Sequence, residues 1–227
     1  MNPDTLLLFD IDGTLLLTGG AGERALRQCI PESLGVEDDM QGIEIAGRTD
    51  SGIARQVFRK HGIALTDEAL TRFHEAYLRN LLINLETSGG CILPGMEEIL
   101  RLTSNNPRFS LGLLTGNLRK GADAKLSRFG IHHHFAFGAF ADDHHDRNAL
   151  GPFALERAHQ HTGVAFAPSR VFVIGDTAHD IACARAIGAQ AVAVATGKFS
   201  VEELAPHQAD HLFRDFSNVE HVMAIWS

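Results

Sequence analysis

The chain has 227 residues, 44% of them hydrophobic and 21% charged, with Asp+Glu 28 against Lys+Arg 20 and a formal net charge of −8. This is ordinary globular composition, enough for one large domain or two modest ones, and it excludes disorder. The acidic balance opposes a nucleic-acid binder, which needs a basic face to displace counterions, and at first sight it opposes any phosphate ligand too.

The start, Met1-Asn2-Pro3-Asp4, has no basic region, so a signal peptide is not expected. No run reaches the roughly 18 apolar residues of a membrane span. Cys29, Cys91 and Cys183 are far apart and form no CxxC pair, so neither a disulfide framework nor a zinc ribbon is expected. A reducing cytoplasm is the expected location.

Residues 5–9 are a short apolar run that reads as a buried strand ending at Asp10-Ile11-Asp12-Gly13-Thr14. From about Gly19 to Ser88 there is no strong strand; helices are expected over 21–30, 50–61 and 67–85, with Thr66 as an N-cap. Thr87-Ser88-Gly89-Gly90 reads as a hinge back to the sheet. A helix over 94–102 then leads to a strand at 109–114, which ends at Thr115-Gly116-Asn117. A helix at 118–129 stops at Gly130. A third strand is expected at 135–140, a helix at 148–162, a fourth strand at 170–174 ending at Gly175-Asp176, a helix at 177–187, and a fifth strand at 191–195 ending at Thr196-Gly197. Apolar strands alternating with helices predict an α/β fold, a doubly wound, Rossmann-like parallel sheet covered on both faces. The block between the first two strands exceeds a single crossover and predicts an inserted all-helical cap. The expected division is 1–16 and 91–227 for the core, 17–90 for the cap. Ligands of such sheets lie beyond the carboxyl ends of the strands.

Chemistry gathers at those ends. Asp10 and Asp12 flank a turn, and Asp180 follows Asp176 by one helical turn, so the latter two face one point. Each motif has a plainer explanation: a surface turn for the first, a capped helix start for the second. Four carboxylates at one sheet end would repel each other, and a divalent cation removes that conflict; hard oxygen ligands suit Mg²⁺. Thr115, Gly116 and Asn117 offer a hydroxyl and backbone N–H groups to an anion, or simply cap the next helix. Arg147, in a charged loop after the third strand, offers a cation for phosphate, or is solvated.

Together, Asp10-x-Asp12-Gly13-Thr14, Thr115-Gly116-Asn117 and Gly175-Asp176-x-x-x-Asp180 resemble the motifs of the haloacid dehalogenase superfamily, in its phosphatase branch with a helical cap of the first type. They run in that family's order over nearly the whole chain, and Leu93-Pro94-Gly95 resembles its re-entry into the core. The resemblance implies that Asp10 is the nucleophile, forming an aspartyl-phosphate, and that Asp12 is the acid and then the base. It implies that Asp10, the Asp12 backbone carbonyl and Asp176 hold Mg²⁺ with support from Asp180, and that Thr115 binds phosphoryl oxygens. Where the family usually carries Lys, this chain offers Arg147. Asp12 points away from the dehalogenase branch, which lacks an acid there. Lys60, the one lysine of the insertion, reads as a helix-end cation and not as the Schiff-base lysine of the phosphonate-cleaving branch. Arg48, in Gly47-Arg48-Thr49-Asp50, is a candidate for recognising a substrate carboxylate or phosphate; the simpler reading is a solvated arginine before a helix capped by Thr49 or Asp50.

The expected function is Mg²⁺-dependent hydrolysis of a small phosphorylated metabolite, most like that of phosphoglycolate phosphatases. A phosphomutase similar to β-phosphoglucomutase shares every motif. A phospho-acceptor signalling module is a third possibility, and the insertion speaks against it. No nucleic-acid or membrane partner is expected. Neither the substrate nor the oligomeric state is legible.

Overall fold

The structure, a computed structural model, describes residues 3–226; Met1 and Asn2, on which the expectation of no basic leader partly rests, lie outside the described residues, as does Ser227. Six strands form one parallel sheet: β1 (Thr5–Phe9), β4 (Phe109–Leu114), β5 (Gly138–Ala139), β6 (Val171–Gly175), β7 (Gln190–Val194) and β8 (His211–Phe213), in the order β5-β4-β1-β6-β7-β8. From β1 the chain winds outward to β4 and β5, then returns to lay β6 on the other side of β1. The gap between β1 and β6 is therefore the switch point of the winding, where an open α/β sheet leaves a crevice.

Strand side chains alternate between the two faces. Leu7 and Phe9 enter one core with Met96, Ile99 and Leu100 of α4 (Met96–Ser104) and Ala122 and Leu126 of α5 (Arg119–Arg128). Leu6 and Leu8 enter the other with Ala154 and Ala158 of α6 (Gly151–Thr162) and Ile181 and Ala184 of α7 (Ala178–Ala186). Both faces are thus covered by helices, which is why the strands read as unbroken apolar runs.

Two details of the sheet differ from expectation. The strand expected at 135–140 is only Gly138–Ala139. Phe135 packs into the first core and Phe137 into the second, whereas strand residues two apart face the same side. The chain twists between these rings and pairs with β4 only after it. A sixth strand, β8, adds to β7 at the edge; its three residues are all half-buried, and a His-Leu-Phe run carries too little pattern to be read.

Between β1 and β4 lie α1 (Ala21–Leu34), α2 (Asp50–Lys60) and α3 (Asp67–Thr87). The chain leaves and returns through a small antiparallel ribbon, β2 (Leu16–Leu17) beside β3 (Cys91–Ile92). The three helices share their own apolar cluster, including Leu26, Ile30, Ile53, Val57, Phe58, Phe73, Tyr77 and Leu81. Thr49 and Thr66 cap α2 and α3 by accepting from Gly52 N and Ala69 N. The N-terminus of α2 docks on the sheet's loops: Asp50 N donates to Gly116 O at 2.7 Å, Thr49 Oγ1 to His145 O at 2.5 Å and Ser51 Oγ to Ala141 O at 3.0 Å. Among the described residues no helix is long and apolar enough to cross a membrane.

Candidate active site

The ends of β1 and β6 carry Asp10 and Asp176 into the crevice. Asp10 N donates to Ile174 O at 2.9 Å, so the nucleophile candidate is still held by the sheet ladder. Asp180, in the first turn of α7, completes a buried trio: one oxygen from each of Asp10, Asp176 and Asp180 lies within 4.8 Å of the other two. The Asp180 carboxylate accepts from Thr177 N at 3.0 Å and Thr177 Oγ1 at 2.7 Å, which fixes its direction. Its second oxygen pairs with the Arg147 guanidinium.

Arg147 is buried, and its Nη2 lies 3.2 Å from Asp10 Oδ1. It also donates to Leu114 O at 3.3 Å. One cation thus faces three carboxylates. Burial, followed by the charges of Asp180 and Asp10, pushes the Asp176 carboxyl well above the ordinary range. Asp10 is raised as well, by burial first, with Arg147 pulling the other way. For Arg147, burial would lower the pKa, but the Asp10 and Asp180 charges outweigh it and the guanidinium is held further up. Beyond its ion pair with Arg147, Asp10 Oδ1 is buried and makes no hydrogen bond among the described residues. Excess negative charge, hard oxygen donors and an unbonded carboxylate oxygen together fit a hard divalent cation.

Gly13 makes this packing possible. It has φ +80°, and a Cβ there would overlap the Asp176 carboxylate, so the turn after Asp12 needs glycine twice over.

Asp12 points the other way, toward α5. Its Oδ2 accepts from Asn117 Nδ2 at 2.9 Å and from Lys125 Nζ at 2.6 Å. Lys125 Nζ also donates to Asn117 Oδ1 at 2.6 Å, and Asn117 Nδ2 donates to Thr115 Oγ1 at 2.8 Å. The Lys125 side chain is 3% exposed, that of Asp12 43%. Sequence reasoning passed over Lys125. The signal was there: Leu118, Ala122 and Leu126 mark the buried stripe of α5 at a spacing of four, and Lys125 occupies that stripe three residues after Ala122.

From the helical side, Asp50 and Tyr77 reach the same region. Asp50 Oδ2 accepts from Leu118 N at 2.8 Å and so caps α5 from a different unit of the fold. Its carboxyl is pushed up to about 6 by burial, with Lys125 opposing. Neither Asp50 nor Tyr77 belonged to the sequence-derived site. Arg48 lines the cleft but is paired with Glu44 at 2.6 Å, half-exposed. Gly116 approaches the Arg48 carbonyl so closely that a Cβ would overlap it. Lys60 pairs with Asp38 and Asp39, away from the carboxylates. The cleft itself is about 350 Å³, with Asp10, Asp12, Asp176, Asn117 and Arg147 on one wall and Leu26, Ile45 and Ile53 on the other.

The chain is thus an α/β protein with a doubly wound sheet, a carboxylate trio at its switch point and a helical unit inserted after the first strand. The family model described as HAD-hydrolase-like matches residues 147–219. That match covers about a third of the chain, the part that carries Arg147, Asp176 and Asp180. No curated protein sequence matches it. Among solved structures it is similar to a hydrolase from Pseudomonas syringae, at 21% identity and TM-score 0.76 over 98% of this chain and 100% of that one. It is also similar to a predicted phosphoglycolate phosphatase from Haemophilus somnus, at 19% identity and TM-score 0.72 over 98% and 99%. A β-phosphoglucomutase from Clostridium difficile superposes at 16% identity and TM-score 0.76 over 99% and 97%.

Proposed function

We propose that the protein is a Mg²⁺-dependent phosphatase for a small phosphorylated metabolite, working through an aspartyl-phosphate on Asp10, in the cytoplasm. In this reading 1–16 and 91–227 form the catalytic core and 17–90 the cap. The observation that carries it is the trio of Asp10, Asp176 and Asp180 at the β1–β6 switch point, with Arg147 as its only cation partner among the described residues and Asp12 two residues after Asp10.

Asp10 attacks the phosphorus and the bond to the leaving oxygen breaks. Asp12 delivers a proton to that oxygen. Water then attacks the phosphorus of the phospho-aspartate while Asp12 takes its proton; the bond from phosphorus to the Asp10 oxygen breaks, inorganic phosphate leaves and the Asp10 carboxylate is regenerated. Asp10, the Asp12 carbonyl, Asp176 and Asp180 would hold Mg²⁺, which supplies charge neutralisation of the phosphoryl oxygens. Arg147 and Thr115 orient the phosphoryl group, helped by the backbone of Gly116 and Asn117. The Arg48 side chain, paired with Glu44 and lining the cleft, would meet the part of the substrate away from the phosphate.

Asp12 is 43% exposed, so water reaches the base directly, and this favours hydrolysis over transfer to a second sugar hydroxyl. The test is a panel of phosphorylated metabolites, phosphoglycolate included, scored for phosphate release with and without Mg²⁺. Release that needs Mg²⁺ supports the proposal. Isomerisation of a sugar phosphate without release would assign the protein to the phosphomutases instead.

A further inference from the structure

Asp12 is held in an asymmetric way. Both donors on its carboxylate, Lys125 Nζ at 2.6 Å and Asn117 Nδ2 at 2.9 Å, engage Oδ2, and among the described residues no hydrogen bond is made to Oδ1. The two donors also bind each other, since Lys125 donates to Asn117 Oδ1 at 2.6 Å. That closes a ring of three side chains, and its members cannot turn independently. Asn117 is tied to Thr115 in turn, so the ring is referenced to the phosphate-binding end of β4.

A lysine is seldom buried without a task, because ordering its long stem and stripping water from its ammonium both cost free energy. Here the stem lies in the apolar stripe of α5, and the charge meets a carboxylate that is nearly half-exposed. An exposed aspartate left to itself would sample several rotamers, most of them useless for proton transfer.

We propose that Lys125 is a positioning residue: with Asn117 it commits Asp12 Oδ2 and thereby makes Oδ1 the atom that delivers the proton to the leaving oxygen. The proton leaves Oδ1 as the phosphorus–oxygen bond breaks and the leaving oxygen takes up that bonding pair; Lys125 keeps all its protons. This rests on the proposed role of Asp12 as acid, and the experiment separates the two.

The probes are phenyl phosphate and 2,4-dinitrophenyl phosphate. They are close in shape, but only the first leaves as a strongly basic oxide that needs a proton. The parameter is kcat/KM, which covers steps up to leaving-group departure and not the later attack of water. Lys125→Met should lower kcat/KM for phenyl phosphate by about 10–100-fold, the cost of a misplaced group, and for the dinitrophenyl ester by less than about 3-fold. On the dinitrophenyl ester kcat alone should fall, because Asp12 still serves as base in the second step. Lys125→Gln, which keeps a donor without the charge, should give the same pattern to a lesser degree and serves if the Met variant does not fold. Equal losses on both esters, no loss on either, or failure of both variants to fold would overturn the inference and leave Lys125 a structural residue. Asp12→Asn is measured in parallel. If it discriminates between the esters and the Lys125 variants do not, the lysine inference alone fails. If Asp12→Asn does not discriminate, the acid role fails and the inference goes with it.

Discussion

The two sides of the cleft hold carboxylates in opposite ways. On the β6 side, Asp10, Asp176 and Asp180 share a single arginine, and Asp10 and Asp176 are pushed toward protonation. On the α5 side, Asp12 is held by a lysine and an amide, which are themselves hydrogen-bonded to each other. The first arrangement carries excess negative charge, and in the second the carboxylate has a cation partner in Lys125. A cleft that needs both a cation and a proton carrier gains from keeping the two apart, because a carboxylate engaged with a metal is a poor acid.

That contrast can be broken from either side. Removing the shared cation with Arg147→Met should have the largest effect on the fold. It leaves buried Asp10 and Asp180 without their cation partner and should lower unfolding free energy by about 3–5 kcal/mol in denaturant titration. A change below 1 kcal/mol would show that the trio does not depend on Arg147. Asp176→Asn should separate stability from binding. Relief of repulsion should raise the melting temperature of the metal-free protein, while Mg²⁺ affinity, read by calorimetry, should fall at least about 10-fold. The matching change on the other side, Asp12→Asn, should not stabilise, since it strips the counter-charge from buried Lys125.

A smaller effect is expected at Asp50, where the helical unit caps α5. Its carboxyl is raised from the ordinary value of 3.8 to about 6. The native state therefore favours the protonated form. That contribution is fully present below 3.8 and is lost as the pH rises through 6. Asp50→Asn should melt like the wild type in acid and higher than it above pH 6, by up to about 3 kcal/mol. Equal melting curves at every pH would show that Asp50 is not strained by its burial. The smallest effect should come from Arg48→Ala, whose half-exposed pair with Glu44 is worth less than about 1 kcal/mol; thermal melting should barely move, and any large change in KM would mark Arg48 as a substrate contact.

Much of this was legible before the structure, for reasons that differ by region. β1, β4, β6 and β7 announce themselves because both faces are buried and each strand ends in Asp, Thr or Gly. Asp10, Asp176 and Asp180 were readable because their spacing has chemical meaning without knowledge of packing. Lys125 was overlooked although it interrupts the apolar stripe of α5, because its charge acquires a partner only once the fold brings Asp12 beside it. Asp50 and Tyr77 were hidden for the same reason: their partners are about seventy and twenty-seven residues away in the chain, and only docking brings them together. The acidic net charge also reads differently once the site is seen. Part of the excess is the trio itself, so the count of −8 includes a carboxylate cluster that fits a cation and does not exclude a small phosphate ester.

The most direct test of the central claim is phosphate release from the best substrate of a phosphorylated-metabolite panel, in metal-free protein and after Mg²⁺ is restored, for the wild type and Asp10→Asn. The account predicts release by the wild type only with Mg²⁺ and a loss of at least about 10³-fold in the variant at every Mg²⁺ concentration. Full activity of Asp10→Asn, or wild-type turnover that persists in chelator, would contradict it.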